Sequence, residues 1–263
     1  TRHLCLVIFN FKEVYTMGFT DQMANREVCD LIFEDYKTGK PFLFMDYANT
    51  NTTELTGETV FAYGGKGHPK KVGFTGERAG TMTIETQMQT AKLWAMITGG
   101  NVNTTCKYVK RVEITVSASK KITLTEDKTI DEGSVAVYEA TDINLDKELK
   151  CSVVGKEITL TDEKALGTKV VVFYGVTRDD AYTVNIKSTS FPKAFKVYGD
   201  TYMKTESEDI LPYRITAYKA QPQANLSLSF ANNGDPGSIT ITLDLLEDKD
   251  HNMLDLSLLP EEE

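Results

Sequence analysis

The residues best suited to chemistry sit in a glycine-rich stretch, YGGKGHPKK at 63–71, where Lys66, His68, Lys70 and Lys71 are interleaved with Gly64, Gly65 and Gly67. A stretch of this kind holds phosphate when it matches G-x-x-x-x-G-K-[ST] or G-x-G-x-x-G and opens a helix. Neither pattern is present, and no helical periodicity starts there. The stretch reads instead as a basic loop running from Gly64 to Arg78. In a chain of net charge −9, such a loop suits an acidic partner surface. Other catalytic constellations are equally poor. No G-x-S-x-G elbow occurs, and His3, His68 and His251 are too far apart in sequence to suggest a triad. Cys5, Cys29, Cys106 and Cys151 form no CxxC pair, and only Cys5 stands near a histidine, His3, so no four-ligand zinc spacing is present and reduced, buried thiols are expected. Acidic groups such as Asp179-Asp180 and Glu206, Glu208 and Asp209 read as solvated faces. Glu247-Asp248-Lys249-Asp250 lacks the glycine and the distal glutamate of a calcium loop. The expectation is a non-enzyme that needs no cofactor and no metal.

The elements that carry these residues are mostly strands. The chain has 263 residues, 41% hydrophobic and 25% charged, enough for one large β domain or two smaller ones with a real core. No apolar run approaches the roughly 20 residues of a membrane helix. The acidic balance argues against a tight grip on nucleic-acid phosphates. Glu27–Glu34 and Phe42–Tyr47 flank a Thr38–Pro41 turn and predict a hairpin. Thr59–Tyr63 is β-favouring, and Thr81–Glu85 alternates with period two. One helix is predicted over Gln87–Thr98, its stripe formed by Met88, Ala91, Leu93, Trp94, Ala95 and Ile97 and its end set by Gly99-Gly100. Leu93, Trp94 and Ile97 are expected to pack it onto a sheet.

From 107 to 176 short alternating runs recur: Val112–Val116, Lys121–Leu124, Val135–Tyr138, Glu157–Leu160 and Lys169–Tyr174. That spacing suggests a small sandwich-like module or an elaborated sheet. Longer strands return at Tyr182–Lys187, Phe195–Tyr202, Tyr213–Tyr218, Asn225–Phe230 and Ser238–Leu245. The last two are expected to pair as a hairpin across 231–237. Pro260 and three glutamates read as a solvated tail.

The N-terminus has a separate reading. Lys12-Glu13-Val14 is what AAGGAGGTN encodes, a bacterial ribosome-binding sequence a few codons before Met17. Residues 1–16 are therefore expected to be translated leader, with the product starting at Met17. In that case Cys5 and His3 carry no function. The alternative is a genuine N-terminal arm, and intact mass distinguishes the two.

Several phrases in order carry a resemblance: MANREVCDL (23–31), DYANTNTTELTGETVFAYGGKGHPKKVGFTGERAGTMTIETQM (46–88), LWAMITGG (93–100), SFPKAFKVYGDTYM (190–203) and AYKAQPQANLSLSFANNGDPGSITITLDLLEDKDHNMLDL (217–256). Together they resemble the tail tube, or major tail structural, proteins of bacteriophages of Gram-positive bacteria. The likeness is weakest across 107–176.

The resemblance implies a mainly β fold: a tail-tube-like sandwich or barrel with one short flanking helix and an extra β module. The domains expected are a leader or arm at 1–16, tube segments at 17–106 and 177–263, and the inserted module at 107–176. It implies a virion structural protein made in the host cytoplasm, whose hexameric rings stack into a tube through which genome DNA passes unbound. Its partners would be copies of itself, a tape measure protein, and sheath, baseplate and tail terminator proteins, with no membrane. Two interface elements follow as expectations. The first is an inter-ring loop holding Gly64, Gly65, Lys66, Gly67, His68, Lys70, Lys71 and Arg78. The second is an acidic counterpart at Glu206, Glu208 and Asp209. Two other readings stay open: a capsid decoration or head protein with an immunoglobulin-like module, and a carbohydrate-binding tail adhesin using Tyr198 and Tyr202.

Overall fold

The computed structural model describes residues 22–117, 120–161, 167–232 and 234–259. The segment expected to be a leader or arm, 1–16, and the expected solvated tail at 260–263 lie outside the described residues. In chain order the elements are β1 (Met23–Ala24), β2 (Asp30–Asp35), β3 (Lys40–Met45), β4 (Thr50–Tyr63), β5 (Lys70–Thr86), α1 (Ala91–Thr98), β6 (Asn101–Asn103), β7 (Cys106–Thr115), β8 (Lys121–Thr123), β9 (Thr129–Glu139), β10 (Cys151–Val154), β11 (Glu157–Leu160), β12 (Lys169–Arg178), β13 (Thr183–Asn185), β14 (Phe195–Thr205), β15 (Ile210–Pro222), β16 (Ile239–Leu246) and β17 (Leu254–Leu258). The chain is mainly β, as the alternating runs require, with one short helix among the described residues. It divides into two compact units, the second formed by Gln89–Pro192 with Ala224–Leu226 and the first by the rest.

The first unit is built on a 9-stranded antiparallel sheet, ordered β3-β2-β14-β15-β16-β5-β4, with β1 added to β14 and β17 to β15. Its period-two strands put one face inward. Leu31 and Phe33 of β2, Phe195 and Val197 of β14, Ile239, Ile241, Leu243 and Leu245 of β16, and Met82 and Ile84 of β5 are all buried. The Cys29 N–H donates to Asn51 Oδ1 at 2.7 Å, which draws the chain just before β2 onto β4 at the far end of the strand order. The sheet thus rolls on itself. It does not close: β3 and β4 remain its edges, so no closed barrel exists among the described residues. The β2–β3 turn lies slightly earlier than Thr38–Pro41. Asp35 Oδ1 accepts the N–H groups of Lys37 and Thr38, Gly39 takes φ 63°, and Lys40 and Pro41 already belong to β3.

The second unit is a two-layer sandwich. The sheets β7-β12-β9 and β10-β11-β8 share one core of Val137, Val170, Val172, Tyr174 and Val176 against Ile122, Leu124, Ile158 and Leu160. Helix α1 packs against the small β6–β13 pair. Leu93, Met96 and Ile97 are buried, Trp94 is half-buried, and the Trp94 indole N–H is enclosed without an acceptor.

Two expectations need correction. The helix begins at Ala91, not Gln87. Thr90 is its cap, with extended backbone and a hydroxyl that accepts the Leu93 N–H at 3.1 Å. Thr86 Oγ1 donates to the Tyr47 carbonyl and accepts the Met88 N–H, which holds 86–88 to the end of β5 and leaves Met88 exposed. Asn225–Phe230 is not a strand, and the predicted hairpin with 238–245 is absent. β5 pairs with β16 over Ile239–Leu245 and β15 only over Leu243–Leu246, so residues 225–230 form no ladder with β16 even though the second edge of Ile239–Thr242 carries no strand among the described residues. Its Phe230 is exposed.

One ion pair in the sandwich makes it pH-sensitive. Lys110 Nζ meets Glu126 Oε2 at 2.8 Å, and the Glu126 side chain is almost fully covered. The Lys110 hydrogen bond holds the Glu126 carboxyl down from its ordinary 4.5 to about 2. A carboxyl depressed on folding stabilises the fold above its unfolded pKa. That contribution is lost as pH falls from about 4.5 to about 2. Calorimetry across this window should show a steeper loss of melting temperature for the wild type than for Glu126→Gln. Parallel slopes would contradict the assignment.

Candidate assembly interface

The glycine-rich residues lie at the end of a long β-hairpin. β4 and β5 pair from Thr50↔Glu85 to Tyr63↔Lys70, with bulges at Gly57/Thr59 and Ala62/Tyr63. β16 supports β5 only as far as Gly80. At that point three strands converge tightly: a side chain on Gly80 would meet Leu55 Cδ2 at 2.8 Å and Leu245 Cβ at 3.1 Å. Beyond Gly80 the two strands bond only to each other. Residues 55–63 at about 3.3 Å each make this arm roughly 30 Å long.

Only Gly64–Pro69 is irregular, so the loop expected over Gly64–Arg78 is corrected. Lys70, Lys71 and Arg78 stand on strand β5. The tip closes through the Gly64 N–H on the Pro69 carbonyl and the His68 N–H on the Gly65 carbonyl, with positive φ at Gly65, Gly67 and His68. Gly73 and Gly76, which read as loop residues, fit an exposed ribbon. Gly73 lies opposite Phe61 and leaves room for its ring, and Lys70 Nζ sits 4.0 Å over that ring.

The opposite face of the arm is apolar. Val60 pairs directly with Phe74 and Ala62 with Val72, which places all four on one side of the ribbon. Val60, Val72 and Phe74 are 58%, 51% and 59% exposed. A two-stranded ribbon with an uncovered apolar face is at best marginally stable in water, and such a patch marks an interaction surface. Among the described residues the outer edge of β4 also pairs with no strand along its 14 residues, a length that proteins otherwise cover or interrupt. The tip adds Lys66, Lys70 and Lys71 with no carboxylate between Tyr63 and Lys71.

Glu206, Glu208 and Asp209 occupy the tight turn joining β14 to β15. The Thr205 N–H donates to the Asp209 carbonyl, the Asp209 N–H to Thr205 Oγ1, and Ser207 Oγ to Asp209 Oδ2. Glu208 is left-handed at φ 72° and reaches Lys204 at 3.9 Å. The turn is exposed, and among the described residues no ion pair joins it to the basic tip within one chain. Leu93, Trp94 and Ile97 belong to the other unit. Sequence reasoning found the basic tip but not the apolar face of Val60, Ala62, Val72 and Phe74. Its only signal was the β-favouring run TVFAY at 59–63.

Of the other acidic clusters, Asp180 pairs with Arg178 and 247–250 makes a turn. Asp248 Oδ1 accepts the N–H groups of Asp250 and Asn252 and so shapes the link from β16 to β17.

A search of curated proteins found no match. A family model does match, over residues 25–256, spanning strands of both units and nearly all of the described chain. The chain therefore belongs to the YomU/Tube protein family, in keeping with the phage tube proteins its sequence resembles.

Proposed function

We propose that the chain is the structural subunit of a phage tail tube: a non-catalytic virion protein whose hexameric rings stack into the conduit for genome ejection. The host would be Gram-positive. The observation that carries this reading is the β4–β5 arm. An isolated chain leaves its apolar face and the long β4 edge uncovered, and a second copy in a stack covers both. Membership of the YomU/Tube family supports the same reading. A net charge of −9 suits a lumen that repels phosphate, so that DNA slides through without sequence-specific binding. The subunit would be made in the host cytoplasm and function in the virion tail, with no membrane role. It would meet a tape measure protein inside the tube, a baseplate and a tail terminator at its ends, and a sheath where the tail contracts.

Negative-stain microscopy of concentrated purified protein should show tubes of uniform diameter. Removing Gly64–Pro69 and closing the arm with a two-residue turn should leave a folded subunit that no longer forms them. Particles that bind empty capsids without forming tubes would instead indicate a head decoration protein. Retention on a glycan array would indicate an adhesin.

A further inference from the structure

We propose that the receiver of the arm is an apolar trench on the same unit of the neighbouring copy, so that each chain carries both plug and socket. This rests on the tube reading and names the surface that the reading leaves open. The trench is about 450 Å³ and is walled by Val28, Leu55, Met203, Ile215, Leu254 and Leu256. Leu55 and Leu256 are largely exposed, at 51% and 61%. Among the described residues the trench faces water, and beside its apolar wall stand the polar side chains of Asn25, Asn51, Thr53 and Thr201.

Two features identify the occupant. The first is apolar match. Val60, Ala62, Val72 and Phe74 form a narrow ridge on the arm, and Glu27 is the one charged residue in the trench lining. The second is charge order. The basic tip follows directly on the ridge. The acidic turn of Glu206, Glu208 and Asp209 follows Met203 at the end of the β14–β15 hairpin that floors the trench. An arm laid in the trench brings Lys66, Lys70 and Lys71 toward those carboxylates.

The geometry also propagates. Leu55 belongs both to the trench wall and to the root of the chain's own arm. An arm leaves from where the preceding arm arrives, so plug and socket are different surfaces. The contact is head-to-tail and continues from copy to copy.

The test uses two full-length variants. Phe74→Asp spoils the plug and keeps the socket. Leu256→Asp spoils the socket and keeps the plug. Each alone should stop at the species below the stack, monomer or single ring. When these preformed species are mixed in equal amounts, the mass by light scattering should double and go no further, because one live contact forms and both outer ends are dead. In parallel, Phe74→Cys and Leu256→Cys chains, each also carrying Cys29→Ser because Cys29 lines the trench, should cross-link when mixed and treated with a short bismaleimide, and neither should do so with Cys29→Ser chains beyond the level set by the other native cysteines. This arm keeps the test decisive if Leu256→Asp fails to fold. Wild-type tubes alongside normal tubes from Leu256→Asp, or no mass doubling and no specific cross-link, would overturn the trench and leave the tube reading standing. Wild-type protein that never assembles would overturn both.

Discussion

A Phe74→Asp chain folds, melts within about 2 °C of wild type, and forms no tubes. Phe74 touches no core: it is 59% exposed on a ribbon that bonds only to its own partner strand beyond Gly80. The free subunit therefore has little to lose. In a stack the ring would be covered. Burying a phenylalanine side chain contributes about 1.5–3 kcal/mol, and a carboxylate in its place must be desolvated without a partner. Since every 1.4 kcal/mol is tenfold, the critical concentration for assembly should rise on the order of 100-fold. Val60→Asp, directly across the ribbon, should behave alike. Pelleting assays over a concentration series would read the shift. Tubes at wild-type concentration would mean that the apolar face is not the contact.

Gly99→Ala should have the largest effect on folding. Gly99 ends α1 in the left-handed region, at φ 68°. A methyl group there would lie 2.3 Å from the Phe191 carbonyl carbon and oxygen and 2.8 Å from the Pro192 nitrogen. These are backbone atoms, so no rotamer change relieves the overlap. Left-handed strain costs about 1–2 kcal/mol and overpacking about 1–3 more, a combined destabilisation of roughly 2–5 kcal/mol. For a unit of this size that is on the order of 10 °C or more in its calorimetric transition. Gly65→Ala at the arm tip has a similar φ of 87° but no atom within 4 Å, and should cost only the conformational share. Equal melting of the two variants would show that close approach is not what selects glycine at 99.

Much of the fold is legible where a strand has one wet face and one dry one. Thr81–Glu85 reads as alternating, and β5 is alternately buried and half-buried from Gly80 to Thr86. Glu157–Leu160 coincides with β11. Legibility fails where alternation does not become a ladder. Asn225–Phe230 alternates as cleanly as any strand, yet it forms no ladder with β16, whose Ile239–Thr242 pair with β5 alone. The arm fails in the opposite sense. Gly73 and Gly76 suggest a loop, but cross-strand bonding keeps β5 extended through both. The lysines at the tip are visible because charge is a property of residues. The apolar ridge is not, because it exists only in the register between the two bulges, where Val60 meets Phe74 and Ala62 meets Val72. The helix start depended on Thr86, whose hydroxyl ties Met88 to the sheet from outside the helical stripe.

The most direct test of arm-driven assembly is electron cryomicroscopy of the purified chain at high concentration, with the density traced through residues 54–79. The account predicts tubes in which every arm lies against a neighbouring copy and Val60, Val72 and Phe74 are buried. Arms left in solvent within a tube, or a chain that remains monomeric at every concentration, would contradict it.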